Sequence, residues 1–145
     1  MLRQCVEVCP EEVWIAGEHP RNFWRIAYHA VFYAHLYGQQ QEADFQPWVK
    51  ARPTASDLWG PQDILEPYTR QEVLDYIDLV DAQVDSAVDG LDLDSADSGF
   101  PWYPSFPKLD HQILNIRHIQ GHVGQLSELL MAKGIDTNWV AKVPR

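Results

Sequence analysis

The chain has 145 residues, 46% of them hydrophobic and 12% aromatic, with a net charge of −10. That apolar content excludes a disordered chain, and the length suits one domain, 1–145, with a core of its own. No apolar run nears the ~20 residues of a membrane span, and no basic stripe exists to neutralise phosphates, so the expectation is a cytoplasmic protein that binds neither membrane nor nucleic acid.

The acidity is local: from Glu72 to Asp97 there are nine acids and no base. There are only two cysteines, Cys5 and Cys9, too few for a disulfide framework. Four residues apart, they read as free thiols on one helix face.

The first block, Leu2 to about Val8, stops before Pro10 and predicts a short or irregular first helix. The second runs from about Arg21 to Tyr37. Ile26, His29, Phe32, Tyr33 and Leu36 recur at helical spacing, and Gly38 stands where a helix ends. The 39–68 stretch, with Pro47, Pro53, Pro61 and Pro67, reads as a long loop of the kind that often lids a site.

The third block opens with Thr69 and Glu72 at capping-box spacing. Behind them Ile77, Val80, Val84, Ala87 and Leu91 form an apolar stripe predicted to face the core. Asp75, Asp78, Asp81, Asp85 and Asp89 fall opposite, as a solvated face rather than a metal site. A second long loop, 92–107, precedes the fourth block. This runs from about Lys108 to Lys133, ends at Gly134 and is rich in Ile and Leu. Nothing alternates like a strand, so the fold class expected is all-α: an up-down four-helix bundle.

Three histidines carry the chemistry. His118 and His122 are four apart, one turn along a helix face, and His29 lies on the apolar face of the second block. Three neutral nitrogens from two helices form an open site for one divalent ion, with a position left for water or substrate. Zinc, nickel and iron all accept imidazole. His111 falls about 10 Å from His118 along the helix, too far to share the ion. Gly121 and Gly124 each cost roughly 1 kcal/mol against Ala in a helix interior, which predicts close approach of another backbone or a ligand.

The segment from Asn115 to Leu126, with His118, His122, Gly124 and Gln125, resembles the last-helix signature of the DinB/YfiT-like superfamily of metal-dependent four-helix bundles. The segment around His29 is similar to that family's earlier ligand-bearing helix. The resemblance implies His29, His118 and His122 as metal ligands. It also implies a small-molecule substrate and transfer of a low-molecular-weight thiol to a small electrophile. Tyr33, Asn115 and Gln125 are the candidates for supporting the ligands or touching substrate. No nucleophile or carboxylate base is marked, so the catalytic residues stay unassigned and a hydrolase is the neighbouring alternative. The other alternative is a non-catalytic dimeric bundle with a structural or vestigial metal site. The short first block, the aromatic loops with Trp48, Trp59, Trp102, Tyr103 and Phe106, and the two glycines lead to the expectation of a homodimer.

Overall fold

The computed structural model describes residues 1–60 and 63–138; Pro61 and the end of the 1–145 domain lie outside them. Its helices are α1 (Leu2–Val8), α2 (Glu11–Trp14), α3 (Phe23–Tyr37), α4 (Arg70–Asp89) and α5 (Lys108–Met131), with a 3-10 turn at Glu42–Asp44. Among the described residues there is no strand. The all-α expectation holds, and no described helix is long and apolar enough to cross a membrane.

The helix starts follow local chemistry. Thr69 Oγ1 accepts from Glu72 N at 3.2 Å, and Glu72 Oε2 accepts from Thr69 N at 2.9 Å, so the predicted capping box opens α4. Gly38 and Gly134 follow the ends of α3 and α5; only Gly134, at φ +74°, uses glycine's left-handed freedom.

The order of directions is not the simple up-down alternation expected. Trp24, at the start of α3, packs edge-on against Tyr68 beside the start of α4. Gln40, past the end of α3, accepts from Asp92 N past the end of α4. Hence α3 and α4 run parallel. Tyr37 meets His111 and His29 meets His122, so α5 is antiparallel to α3. Arg70 donates to Cys9 O while Arg3 pairs with Asp78, so α1 is antiparallel to α4. The physical reason is the 39–69 connection. An antiparallel neighbour needs a loop of only a few residues, whereas a parallel one needs a chain that climbs back along α3, whose 15 residues span about 22 Å.

The core lies where α1, α2, α3 and the early parts of α4 and late parts of α5 meet. Val6, Trp14, Phe23, Tyr28, Tyr76, Leu126 and Leu130 are fully buried there. Trp48 returns from the crossover to stack on Tyr76 at 4.8 Å, as a core cap. Cys5 and Cys9 are buried free thiols, and burial pushes Cys9 up to about 12, so its thiol stays protonated at neutral pH.

At the far end the two long loops are tied together. Lys108 Nζ donates to the carbonyls of Gln39, Gln40 and Ser98 at 2.6–2.8 Å. Gly99, at φ +79°, lies so close to Gln40 and Gln41 that a Cβ would meet Gln40 O at 2.3 Å.

Two expectations need correction. In the α4 stripe only Ile77 is buried, together with Val73 and Tyr76. Val80, Ala87 and Leu91 are half covered and Val84 is exposed. The cause is α1: its seven residues span about 10 Å against about 30 Å for α4, and nothing among the described residues covers the remainder. The aspartates Asp78, Asp81, Asp85 and Asp89 are exposed, as the pattern requires. Gly121 and Gly124 approach nothing within the chain; a Cβ at either meets no atom within 4 Å.

Candidate metal centre

His29 is held on α3 at the second turn from its start, on the face turned to α5. His118 and His122 project from α5 toward it, and all three ligand nitrogens lie within 4.8 Å of one another. The Nε2 atoms of His29 and His118 are 3.0 Å apart, as are those of His122 and His118. His29 and His122 are buried and His118 is half-buried.

The partners of the outer nitrogens decide the tautomers. His29 Nδ1 contacts the Ser56 carbonyl, and His122 Nδ1 contacts Gln125 Oε1 at 2.8 Å. Both oxygens accept, so both Nδ1 atoms carry the proton and both Nε2 atoms present bare lone pairs. His118 Nε2 has one such lone pair on each side. A single N–H there can serve one neighbour well, not both. Its other nitrogen, Nδ1, is buried with no partner. As a hydrogen-bonded cluster the trio is therefore short of protons.

As a ligand set it is better matched. With metal–nitrogen bonds of about 2.0–2.1 Å, nitrogens on adjacent positions stand about 2.9 Å apart at octahedral angles and about 3.3 Å at tetrahedral ones. The two 3.0 Å separations fall in that range. The oriented Nδ1–H groups of His29 and His122 are the outer hydrogen bonds that such ligands require.

The three imidazoles are kept neutral. Burial takes His29 down to about 3, against the opposing contact to Ser56 and with help from His122 and His118. Burial and His122 take His118 down to about 4. His122 is lowered by burial, opposed by Gln125. Neutral nitrogens bind cations without first losing a proton.

Around the trio, the Tyr33 ring lies 4.6 Å from His29 and 5.4 Å from His118. Burial and the Asp57 carboxylate raise its phenol, so at neutral pH Tyr33 is a proton donor. The Trp59 ring, largely exposed, stands edge-to-face with His29, ring centres 5.9 Å apart, with the Arg21 guanidinium over it. The crossover loop carrying Ser56 and Trp59 is fastened by Arg25, whose guanidinium reaches the carbonyls of Asp57 and Asp63.

Of the six residues singled out in the sequence, five gather here: His29, His118, His122, Tyr33 and Gln125. Asn115 does not. It turns to the Ala34 carbonyl and lines a groove on the other side of α3. His111 stays apart, as the helix rise required, buried among Tyr37, Phe100 and Tyr103. The Ser56 carbonyl is the partner that sequence reasoning missed; a main-chain oxygen has no residue type to betray it.

Comparison of the chain with family models, curated proteins and solved structures gave no match.

Proposed function

We propose that His29, His118 and His122 hold one divalent metal ion with at least one position open, and that the protein is a metal-dependent enzyme acting on a small molecule. The observation that carries this is the pair of 3.0 Å Nε2 separations between nitrogens two of which are bare lone pairs. Bound there, the ion supplies a +2 charge that no ligand neutralises, which lowers the pKa of a thiol or water placed beside it.

The finer reading is transfer of a low-molecular-weight thiol to a small electrophile, in the manner of the DinB/YfiT-like proteins that the His29 and Asn115–Leu126 segments resemble. One feature favours a thiol over water. Among the described residues no carboxylate oxygen joins the three nitrogens. A water on such an ion reaches a pKa of only about 7 and gains from a base beside it, whereas a thiol starts from about 8.5 and is deprotonated outright on the metal. The chain's own contributions are then clear. Ser56 and Gln125 fix the ligand rings; the thiol gives its proton to water as its sulfur bonds to the electrophile, and Tyr33, protonated at neutral pH, donates to the electrophile as charge develops on it and is reprotonated from water.

The test is elemental analysis of protein purified without a histidine tag, followed by cobalt substitution and titration with glutathione and cysteine. One equivalent of metal and a thiolate-to-cobalt absorption band are expected. A protein that binds no zinc, nickel, iron or cobalt refutes the proposal. Binding of metal without any thiol band refutes the finer reading alone.

A further inference from the structure

Two glycines stand in the interior of α5, and the packing of the chain gives neither a role. A Cβ built on Gly121 or on Gly124 meets no atom of a neighbouring side chain or element within 4 Å. Each still weakens the helix relative to alanine. The two differ in what stands beside them. Residues three and four apart on a helix are surface neighbours, and residues two apart are not. Gly121 is three past His118, and four from Arg117 and from Gln125, both exposed. Gly124 is two past His122 and six past His118, so it neighbours neither ligand.

The direction of a helical side chain gives Gly121 its meaning. Side chains lean toward the helix N-terminus, so a residue covers the turn before its own Cα. A side chain at 121 would lie over the turn that holds Arg117 and His118, and glycine leaves that turn bare. The ligands show the effect. His29 and His122 are buried, at 2% and 7% exposure, whereas His118, beside the glycine, is only half-buried. Elsewhere around the centre aromatic rings stand close: Tyr33 against His29 and His118, and Trp59 against His29. The flank without a side chain is that of Gly121. A carbon atom of a guest can sit where the Cβ is missing, at no less than ordinary van der Waals separation from the neighbouring groups.

We infer that Gly121 is a specificity-determining residue of the metal centre. By carrying no side chain it keeps the flank of His118 open, and so admits to the ion's free position molecules as broad as an aromatic ring, rather than water and slender ligands alone. A substrate suited to that opening carries its coordinating atom on or beside a ring or a branched carbon. The inference rests on the metal reading above and not on the thiol. It gives the helix stability lost at Gly121 a use; nothing in the structure explains Gly124, which makes that glycine the control.

The test uses the full chain loaded with cobalt, whose visible absorption reports each ligand that reaches the ion. Imidazole and phenylimidazole bind through the same kind of nitrogen and differ in breadth. Wild type is expected to bind both. Gly121→Leu is expected to keep one equivalent of cobalt and the affinity for imidazole, and to bind phenylimidazole about tenfold or more weakly. Gly124→Leu is expected to match wild type with both probes. Because the space is there and leucine is the better helix former, both metal-free variants should melt about 2–3 °C above wild type.

A wild type that takes up cobalt and does not bind phenylimidazole overturns the inference. So does a Gly121→Leu protein that binds phenylimidazole as wild type does, or that loses both probes equally. Equal losses in the two leucine variants overturn it too, as does a lower Tm for metal-free Gly121→Leu, since leucine would then clash where the space should be. Each of these, with one equivalent of cobalt bound, leaves the metal reading standing. Failure of the wild type to take up cobalt overturns the metal reading and this inference with it. No thiol enters the test, so an absent thiol band does not touch its outcome.

Discussion

Replacing His118 by Ala separates a metal centre from a cluster of hydrogen-bonded core histidines, because the two predict losses of very different size. Consider the metal-free protein first. His118 Nδ1 is buried without a partner, and Nε2 faces two lone pairs. Removing the ring relieves an unsatisfied buried nitrogen, worth about 1–3 kcal/mol, and gains a few tenths of a kcal/mol of helix propensity. Against this stands the lost packing of a half-buried ring, of similar size. The terms cancel to within about 1 kcal/mol. A chain of this length unfolds with an entropy of about 0.3 kcal/mol/K, so Tm should move by no more than about 3 °C. If the trio were instead a satisfied hydrogen-bonded core, the change would strand both His29 and His122. At about 1–3 kcal/mol for each, Tm would fall by about 7–20 °C.

Now add metal. At one hundred times its dissociation constant an ion that binds only the folded state stabilises by about 2.7 kcal/mol, or about 9 °C here. Wild type should show that rise with zinc and His118→Ala should not. Differential scanning fluorimetry with EDTA and with zinc gives all four values. A large drop for the EDTA-treated variant, or an equal rise with zinc in both proteins, refutes the reasoning.

Four further outcomes follow from the same structure. Gln125→Leu removes the acceptor of His122 Nδ1–H and should weaken zinc binding by about 10–100-fold in a competition titration, with the helix content of the protein unchanged. Because His29 and His118 are depressed to about 3 and about 4, zinc affinity should hardly change between pH 7.5 and 6.0; three imidazoles at the reference pKa of 6.5 would lose roughly 50-fold. The same depression makes the metal-free fold acid-sensitive. The unfolded chain binds more protons below 6.5, so stability is complete above that pH and is lost as pH falls toward 3–4, which urea titrations at pH 7.5 and 5.0 would display. Leu126→Ala, in the fully buried core, should cost about 3 kcal/mol, or about 10 °C in Tm, by leaving a cavity between α5 and its neighbours.

The helices were legible in the sequence because their signals are local. Thr69 and Glu72 announce the start of α4, the glycines mark the ends of α3 and α5, and the solvated aspartates declare the outer face of α4. His118 and His122 were legible as a pair for the same reason: four residues in a helix is one turn, whatever surrounds it. His29 joined them only as a histidine on an apolar face.

What tertiary structure alone decided is everything that depends on which neighbour covers a face. An apolar stripe says that Val80, Val84 and Leu91 seek cover, not that α1 is too short to reach them. The prolines of the 39–68 stretch say loop, but only the packing of Trp24 on Tyr68 and of Gln40 on Asp92 makes it a crossover that sets α3 and α4 parallel. Asn115 and Gln125 looked alike as polar residues one turn from a ligand. The rotation of α5 against α3 gave Gln125 to His122 and turned Asn115 toward Ala34. The tautomer of His29 depends on a carbonyl twenty-seven residues away, on a backbone atom common to every residue type. Periodicity encodes a direction away from water; the partner met in that direction is set by chain connectivity and packing, which no local pattern contains.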